Sequence, residues 1–302
     1  MRIFVTGATG FIGAAVVTEL INAGHQVTGL ARSAAGAQAL AAAGAQVQRG
    51  DIAEADTLRR AIEGADGVIH TAFNHDFSQF LASCEADRQV IATLAEALAA
   101  GHANPRRPLI ITSATAAANT IAGEPAREDN PVPSAAVFPR AATEEAAAAA
   151  LARGVNVSIV RLPQVHDTRK QGLITELIRL AREKGVSAYV GEGANRWTAG
   201  HVSDAARLYR LALEKAEPGA KYHAVAEEGI ALREIAQVIA RGLQVPVRAV
   251  APGESAAHFG WLDKFAPRDL PASSAQTRAQ LGWQPQGPGL LEDLEKMRYA
   301  AA

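Results

Sequence analysis

The chain of 302 residues balances 30 Lys and Arg against 31 Asp and Glu, a formal net charge of −1, and 48% of it is apolar. This describes a globular chain with enough length to bury a sizeable core, as one large domain or one domain with a smaller lobe. It excludes a strongly basic nucleic-acid surface, and no apolar run of about 20 residues offers a membrane span. Cys84 is the single cysteine, so no internal disulfide can form. Arg2 leads directly into a short strand and not into the layout of a signal peptide, so a cytoplasmic location is expected.

The first twelve residues after Met1 set the pattern. An apolar, partly β-branched run, Arg2-Ile3-Phe4-Val5-Thr6, stops at Gly7, glycines recur at Gly10 and Gly13, and an apolar helical stretch runs from Phe11 to Ala23. This predicts strand, tight turn and helix. A Cβ at Gly7 or Gly10 would keep backbone N–H groups away from a pyrophosphate, and Gly13 lets the helix lie close on the strand. A glycine triplet alone is weak, but here a second strand, Gln26 to Leu30, follows the helix, the context a dinucleotide site needs.

That second strand ends in Ala31-Arg32-Ser33. An acid at this point would grip a ribose 2′-hydroxyl; Arg32 and Ser33 suit a 2′-phosphate instead, so NADP(H) is expected over NAD(H). Arg32 as a merely solvated residue is the plainer reading. Ala34 to Ala43 is an alanine-rich helix. The next strand, Ala45 to Arg49, leads to Gly50-Asp51-Ile52, where Asp51 can reach an adenine amino group, cap the helix from Glu54 to Glu63, or both.

A fourth strand, Gly67 to His70, runs into Thr71-Ala72-Phe73-Asn74-His75-Asp76. This loop leaves the sheet edge where ligands bind in doubly wound folds, and small residues at Thr71 and Ala72 allow a cofactor to lie against the backbone. A long helix from Phe77 to Ala100 carries Cys84, Asp87 and Arg88. The fifth strand, Pro108 to Thr112, ends at Ser113 on the same edge. Ala114 to Ser134 reads as an irregular loop over the site, followed by an Ala/Glu-rich helix, Pro139 to Ala152, and a sixth strand, Val155 to Arg161.

Repeated strand–helix alternation predicts an α/β fold, a doubly wound parallel Rossmann sheet with right-handed crossovers. Residues 1–162 form the dinucleotide-binding domain in this reading. Residues 163–302 form a smaller mixed substrate-binding lobe, interleaved with the sheet. Helices are expected near Gly172 to Lys184, Ser203 to Lys215, Leu232 to Arg241 and Leu290 to Tyr299.

The run Thr6-Gly7-Ala8-Thr9-Gly10-Phe11-Ile12-Gly13 resembles the cofactor motif of extended and atypical short-chain dehydrogenase/reductases. Gly50-Asp51-Ile52, Val68-Ile69-His70-Thr71-Ala72, Ile111-Thr112-Ser113, Val160-Arg161-Leu162-Pro163 and His201 to Ala206 fall where that family has its landmarks. The resemblance implies a nicotinamide cofactor, a carbonyl or alcohol substrate between the lobes, and contacts from Phe73 and Pro163 to the cofactor. Relatives of this fold commonly form dimers, so a homodimer is open to this chain, though no interface is legible.

The departures are informative. The family's Tyr-x-x-x-Lys motif is missing: the region reads Ser134-Ala135-Ala136-Val137-Phe138-Pro139-Arg140-Ala141. Ala136 or Val137 takes the tyrosine place, and Arg140 or Ala141 the lysine place. Asp87 replaces the family's upstream asparagine. Ser113 is then the group to polarise a carbonyl, and Arg140 can hold a ribose or substrate oxygen but cannot serve as an acid near neutral pH. Proton sources to consider are a water linked to Asp87, and His75, His166, Tyr189 and His201. The catalytic set expected is Ser113, Arg140, Asp87 and His166. No metal is indicated by the histidine spacing. Trp197, Phe259, Trp261 and Phe265 wall an apolar pocket or fill the lobe core.

These features predict hydride transfer between NADP(H) and a small, fairly apolar ketone or alcohol. A sugar-nucleotide epimerase or dehydratase, and a non-enzymatic NADP(H) sensor, are the alternatives.

Overall fold

The computed structural model describes residues 1–100, 107–119 and 121–299. The chain runs β1 (Arg2–Thr6), α1 (Phe11–Asn22), β2 (Gln26–Ala31), α2 (Ala34–Ala42), β3 (Gln46–Arg49), α3 (Ala55–Glu63), β4 (Gly67–His70), α4 (Phe80–Ala99), β5 (Leu109–Ala114), α5 (Ala142–Ala152) and β6 (Val157–Leu162). It continues through β7 (Gln164–His166), α6 (Ile174–Lys184), β8 (Ser187–Val190), β9 (Arg196–His201), α7 (Val202–Lys215), β10 (Lys221–His223), β11 (Glu227–Ala231), α8 (Leu232–Leu243), β12 (Val247–Val250), α9 (Ser255–Phe259), α10 (Ala275–Leu281) and α11 (Leu290–Lys296).

Seven parallel strands form the central sheet in the order β3-β2-β1-β4-β5-β6-β10. The period-two alternation of a strand distributes its side chains between two cores. Ile3 and Val5 pack with Val16 and Leu20 of α1 and Tyr209 and Leu213 of α7, whereas Phe4 packs with Leu58, Ile91 and Leu94 on the α3–α4–α5 side. Strands buried on both faces are continuous apolar runs, which is why β1, β4 and β5 read so clearly from sequence.

The seventh strand and α7 come from beyond residue 162. α7 lies beside α1 on one face, and β10 pairs with β6. This is the physical form of the interleaving. The rest of the C-terminal part builds a separate lobe from the sheet β11-β9-β7, the pair β12-β8 and helices α6, α8 and α11. Its core includes Ile174, Trp197, Ile235, Phe259, Leu262 and Leu290.

Helix ends differ from expectation for local reasons. The helix expected from Phe77 starts as a 3-10 turn, Phe77–Gln79, capped by the Asp76 side chain, which accepts from Ser78 N at 3.0 Å. Glu54, not Asp51, stands at the N-cap of α3. The last helix stops at Lys296.

The loop after β5 is pinned and not a free flap. Ala126 N donates to the Pro271 carbonyl at 2.9 Å, and Ser273 N donates to the Ala126 carbonyl at 2.9 Å. Buried Glu128 accepts from Thr277 N and Oγ1 at 2.8 and 2.7 Å. Thr120, within the predicted loop, lies outside the described residues.

Candidate active site

The turn after β1 is built on close approach. Gly7 has φ +67°, and a Cβ there would stand 2.6 Å from Ala72 N and 2.7 Å from Thr71 Oγ1. Thr71 Oγ1 donates to the Thr6 carbonyl at 2.8 Å, locking the end of β4 against the turn. A Cβ on Gly13 would lie 2.0 Å from the Gly7 carbonyl oxygen, so the first turn of α1 presses directly on the glycine loop. Gly10 is the N-cap and supplies no side-chain acceptor. The leading N–H groups of α1, from Phe11, Ile12 and Gly13, therefore start beside exposed Thr9 and Gly10 without a capping side chain. A helix start left open beside a cradle without Cβ atoms fits a pyrophosphate.

At the other end of this edge, Arg32 projects 79% exposed, with Nη1 3.8 Å from Asp51 Oδ2. Ser33 caps α2, its Oγ accepting from Gly36 N at 3.0 Å. Arg49, which the sequence did not single out, donates from Nη2 to the Arg32 carbonyl at 3.0 Å and brings a second guanidinium here. Asp51 Oδ1 accepts from Ala53 N at 3.0 Å, closing the turn ahead of α3. Ile52 packs partly against the core beneath.

Between these strands and α4–α5 lies a buried polar chain. Thr6 Oγ1 and His70 Nδ1 are 2.6 Å apart, and His70 Nε2 lies 3.0 Å from Asp87 Oδ1. Arg140 Nη1 donates to Asp87 Oδ2 at 2.6 Å, and Thr143 Oγ1 donates to the same oxygen. Arg140 Nη2 donates to the Thr112 carbonyl at 2.9 Å, and the guanidinium stacks 4.0 Å from the centre of the Phe73 ring. Burial pushes the Asp87 carboxyl upward. The His70 hydrogen bond, Arg140 and Thr143 outweigh it and hold the group down at about 2. Asp87 is thus a fixed anion with both oxygens engaged by protein donors. Its partner His70 lies within a family landmark but was given no role from sequence, and Thr143 carried no sequence signal; only folding brings them to it.

Ser113 is placed differently from expectation. Its neighbour Thr112 faces α7, with Oγ1 2.6 Å from Tyr209 Oη. Strand alternation turns Ser113 to the opposite face. Its hydroxyl is shielded from solvent, beside Glu144, without a hydrogen bond of ordinary geometry. In this orientation it backs the site and does not open into it. Glu144 in turn holds Arg161 through paired contacts of 2.8 Å.

His166 is not brought to this group. It is wholly buried, with Nδ1 2.7 Å from Asp293 Oδ2 on α11 and its ring 5.6 Å from that of His201. Burial lowers its pKa, against the opposing pull of Asp293. His201 caps α7, with Nδ1 accepting from Ser203 N, and Asp204 binds the backbone N–H groups of Gln286 and Gly287 at 2.9 and 2.8 Å. Tyr189 packs against the lobe core, and Tyr209 is fully buried with its pKa raised by that burial. Among the described residues, no group of three or more His, Cys, Asp or Glu is arranged to hold a metal ion.

The aromatic residues divide. Trp197 and Phe259 are lobe core, at 1% and 3% exposure. Trp261 and Phe265 are half-buried and meet the loop after β4. Phe77 stacks on Trp261 at 4.5 Å and 15°, and lies 6.4 Å from Phe265 and 5.8 Å from Phe80. Phe80 reaches Phe73 at 6.4 Å, so rings continue from the lobe to the Arg140 guanidinium. His75 packs edge-on to Phe73 at 5.2 Å. Desolvation and the positive charges of Lys170 and Arg140 hold its pKa below the usual histidine value. Pro163, between β6 and β7, is half-buried against the Gly200 backbone.

Strand order and an open glycine-lined helix start at the C-terminal sheet edge define a dinucleotide-binding fold of the short-chain dehydrogenase/reductase type. The sequence matches the family model of the NAD dependent epimerase/dehydratase family over residues 3–226, and the chain belongs to that family. It is 45% identical over 300 residues to an uncharacterized protein of Schizosaccharomyces pombe, covering 99% of this chain and 100% of that one. It is 29% identical over 317 residues to a UDP-glucose 4-epimerase of Streptomyces lividans, covering 94% and 91%. The fold is similar to a dTDP-glucose 4,6-dehydratase from Streptomyces venezuelae with NAD bound, at TM-score 0.78 and 23% identity, covering 99% and 96%. Among the described residues, no helix is long and apolar enough to cross a membrane.

Proposed function

We propose that the protein is an NADP(H)-dependent oxidoreductase that moves a hydride between nicotinamide and a small, largely apolar ketone or alcohol. The observation that supports this most is the Arg140 guanidinium, fixed by Asp87 and the Thr112 carbonyl at the ligand edge, with aromatic rings beside it.

The turn Gly7, Thr9, Gly10, Phe11, Ile12 and Gly13 would hold the pyrophosphate. Arg32 and Ser33, joined by Arg49, would hold the 2′-phosphate, and Asp51 with Ile52 the adenine. Thr71, Ala72, Phe73 and Pro163 would flank the nicotinamide half. When bound, the coenzyme supplies or accepts the hydride. Arg140 binds the reacting oxygen as a permanent cation, and Asp87, His70 and Thr143 orient it. Arg161 keeps Glu144 seated behind the site, beside the buried Ser113. Phe77, Trp261 and Phe265 exclude water and receive the apolar part of the substrate.

The names of the relatives favour a second reading, conversion of a sugar nucleotide. That chemistry needs a base that takes and returns a proton. Tyr209 and Tyr222 are buried in the sheet core, and Tyr189 and Tyr299 pack against the lobe core, so none presents an exposed phenol beside Arg140. A third reading, coenzyme sensing without turnover, needs only the binding half.

Titration calorimetry with NADPH, NADP⁺ and NADH, followed by NADPH oxidation with aryl and aliphatic ketones, tests the proposal. Binding with turnover is the expected result. Binding without turnover on any carbonyl favours sensing. Conversion of a nucleotide sugar without net coenzyme change favours the second reading. No uptake of any coenzyme removes all three.

A further inference from the structure

The surroundings of Arg140 pair a permanent cation with few groups able to give up a proton. Arg140 presents a charge that stays on the protein. Asp87 is ionised and engaged, and His166 is sealed against α11. The other titratable groups near Arg140 are Cys84 and Tyr209, both buried with pKa values raised by that burial and the Tyr209 hydroxyl engaged by Thr112 Oγ1, and His75, on the exposed part of the loop after β4 and opposed by Lys170. An alkoxide formed from a simple ketone is about as basic as hydroxide, whose conjugate acid, bulk water, has a pKa of about 15.7. Its formation therefore calls for a proton during hydride transfer. A phenolate is far less basic, its conjugate acid having a pKa of about 10. It can form first against a fixed cation and take its proton from water afterwards.

The walls favour the same kind of molecule. The chain has 8 Phe and 3 Trp. Of these, Phe73, Phe77, Phe80, Trp261 and Phe265 form one connected set of rings running from Arg140 across to the lobe. Phe77 and Trp261 lie nearly parallel, at 15° and 4.5 Å, so each covers one face of the other, and both rings remain partly exposed. Flat aromatic faces bind flat conjugated partners by offset stacking and edge contacts.

We infer that the substrate is a planar conjugated carbonyl compound, a quinone or an aryl enone, whose hydride adduct is a delocalised oxyanion held by Arg140. This rests on the oxidoreductase reading above, keeping its coenzyme and its Arg140-held oxygen but moving hydride delivery to the carbon conjugate to the carbonyl. The acceptor gains a C–H bond at the carbon conjugate to its carbonyl. The C=C π pair shifts toward the carbonyl carbon, and the C=O pair moves onto oxygen, giving an enolate. Water then protonates it, at carbon for an enone. A quinone adduct tautomerises to the hydroquinone. The reduced nicotinamide dinucleotide is the donor and is oxidised by the same two electrons.

The test uses the full chain with NADPH and three probes: naphthoquinone, benzylideneacetone and its saturated counterpart benzylacetone. The expected result is that both conjugated probes are reduced about a hundredfold faster than benzylacetone in kcat/KM. Arg140→Lys, which keeps a charge but loses the fork, should lower kcat on benzylideneacetone by about tenfold or more, with KM moving less. If Arg140→Lys fails to fold, Arg140→Gln combined with Asp87→Asn removes both buried charges together and should likewise lower kcat on benzylideneacetone about tenfold or more.

A binding measurement stands apart from turnover. Naphthoquinone without coenzyme should quench tryptophan fluorescence through Trp261, and Phe77→Ala should weaken that binding about tenfold. Equal or faster reduction of benzylacetone, or quenching unaltered in Phe77→Ala, overturns this inference and leaves the ketone reductase reading intact. Coenzyme binding with no reduction of any probe or ketone overturns that reading and this one with it.

Discussion

Arg140 Nη1 lies 2.6 Å from Asp87 Oδ2, with the two side chains 10% and 4% exposed. The pair joins the start of α5 to α4 and aims a guanidinium at the ligand edge of the sheet. A pair this deep is maintained by its own completeness: His70 and Thr143 satisfy the carboxylate, and the Thr112 carbonyl satisfies the second arm of the arginine. Removing one member leaves a buried charge alone.

Asp87→Asn should therefore destabilise the protein by about 3 kcal/mol, and Asp87→Asn with Arg140→Gln by clearly less. Denaturant midpoints of the two single variants and the double variant measure this directly. The pH dependence has a definite sign. Asp87 has its folded pKa depressed to about 2 from 3.8, so its stabilisation is complete above about pH 4 and is lost as pH falls toward 2. The wild type should lose about 2 kcal/mol over this window through Asp87. The Asp87→Asn protein should show a correspondingly shallower slope.

Gly10 and Gly13 should respond differently to alanine. A Cβ at position 13 meets the Gly7 carbonyl oxygen at 2.0 Å, and backbone must move to admit it. Gly13→Ala is expected to cost about 3 kcal/mol of stability. A Cβ at position 10 comes within 3.1 Å of the same oxygen, and Gly10 has an extended backbone that alanine tolerates. Gly10→Ala should fold with a near-normal thermal midpoint yet bind coenzyme at least about tenfold more weakly, because the methyl group occupies the approach to the helix start. Calorimetric midpoints and NADPH titrations separate the two effects.

Coenzyme choice should rest on Arg32 and Arg49. Replacing exposed Arg32 by Glu is expected to weaken NADPH binding by about tenfold or more, with a smaller change for NADH, since the 2′-phosphate is the group that differs. Arg49→Ala removes the guanidinium bound to the Arg32 carbonyl and should act in the same direction. Equal losses for NADPH and NADH would place both arginines away from the 2′ position.

His223 gives the fold a second acid sensitivity. Its Nδ1 lies 2.8 Å from the Ser273 carbonyl and its Nε2 lies 3.2 Å from Arg161 Nη1. A ring that donates to one and accepts from the other is neutral. Burial leads in lowering its pKa to about 4. A depressed histidine pKa means the unfolded chain gains protons first, so stability falls as pH drops from about 6.5 toward 4. His223→Gln should flatten the stability profile over this range in urea titrations, at some cost in stability at neutral pH.

Much of the fold was legible because its causes are local. A run such as Ile3-Phe4-Val5 is strand-like wherever it stands. Gly7, ending that run, marks a turn on sequence alone, and its left-handed φ of +67° is the conformation that turn needs. The places where local reading met its limit are equally specific. Ser113 was rightly set near a strand end, but which core its hydroxyl enters depended on where β5 begins its alternation. His166 sits just past β6 as expected, yet α11, more than a hundred residues later in the chain, covers it.

By itself, the amino-acid order determined the strand–helix rhythm, the glycine turn and the lack of a tyrosine between Ser113 and α5, since each depends on neighbours a few residues apart. Only the tertiary structure decided that Arg140 finds Asp87 across 53 residues and that Phe77 meets Trp261. It also decided that Thr6, His70 and Asp87 form one buried chain. Such contacts are selected by burial and hydrogen-bond satisfaction when distant segments pack, so they are properties of the assembled core and not of any single stretch of chain.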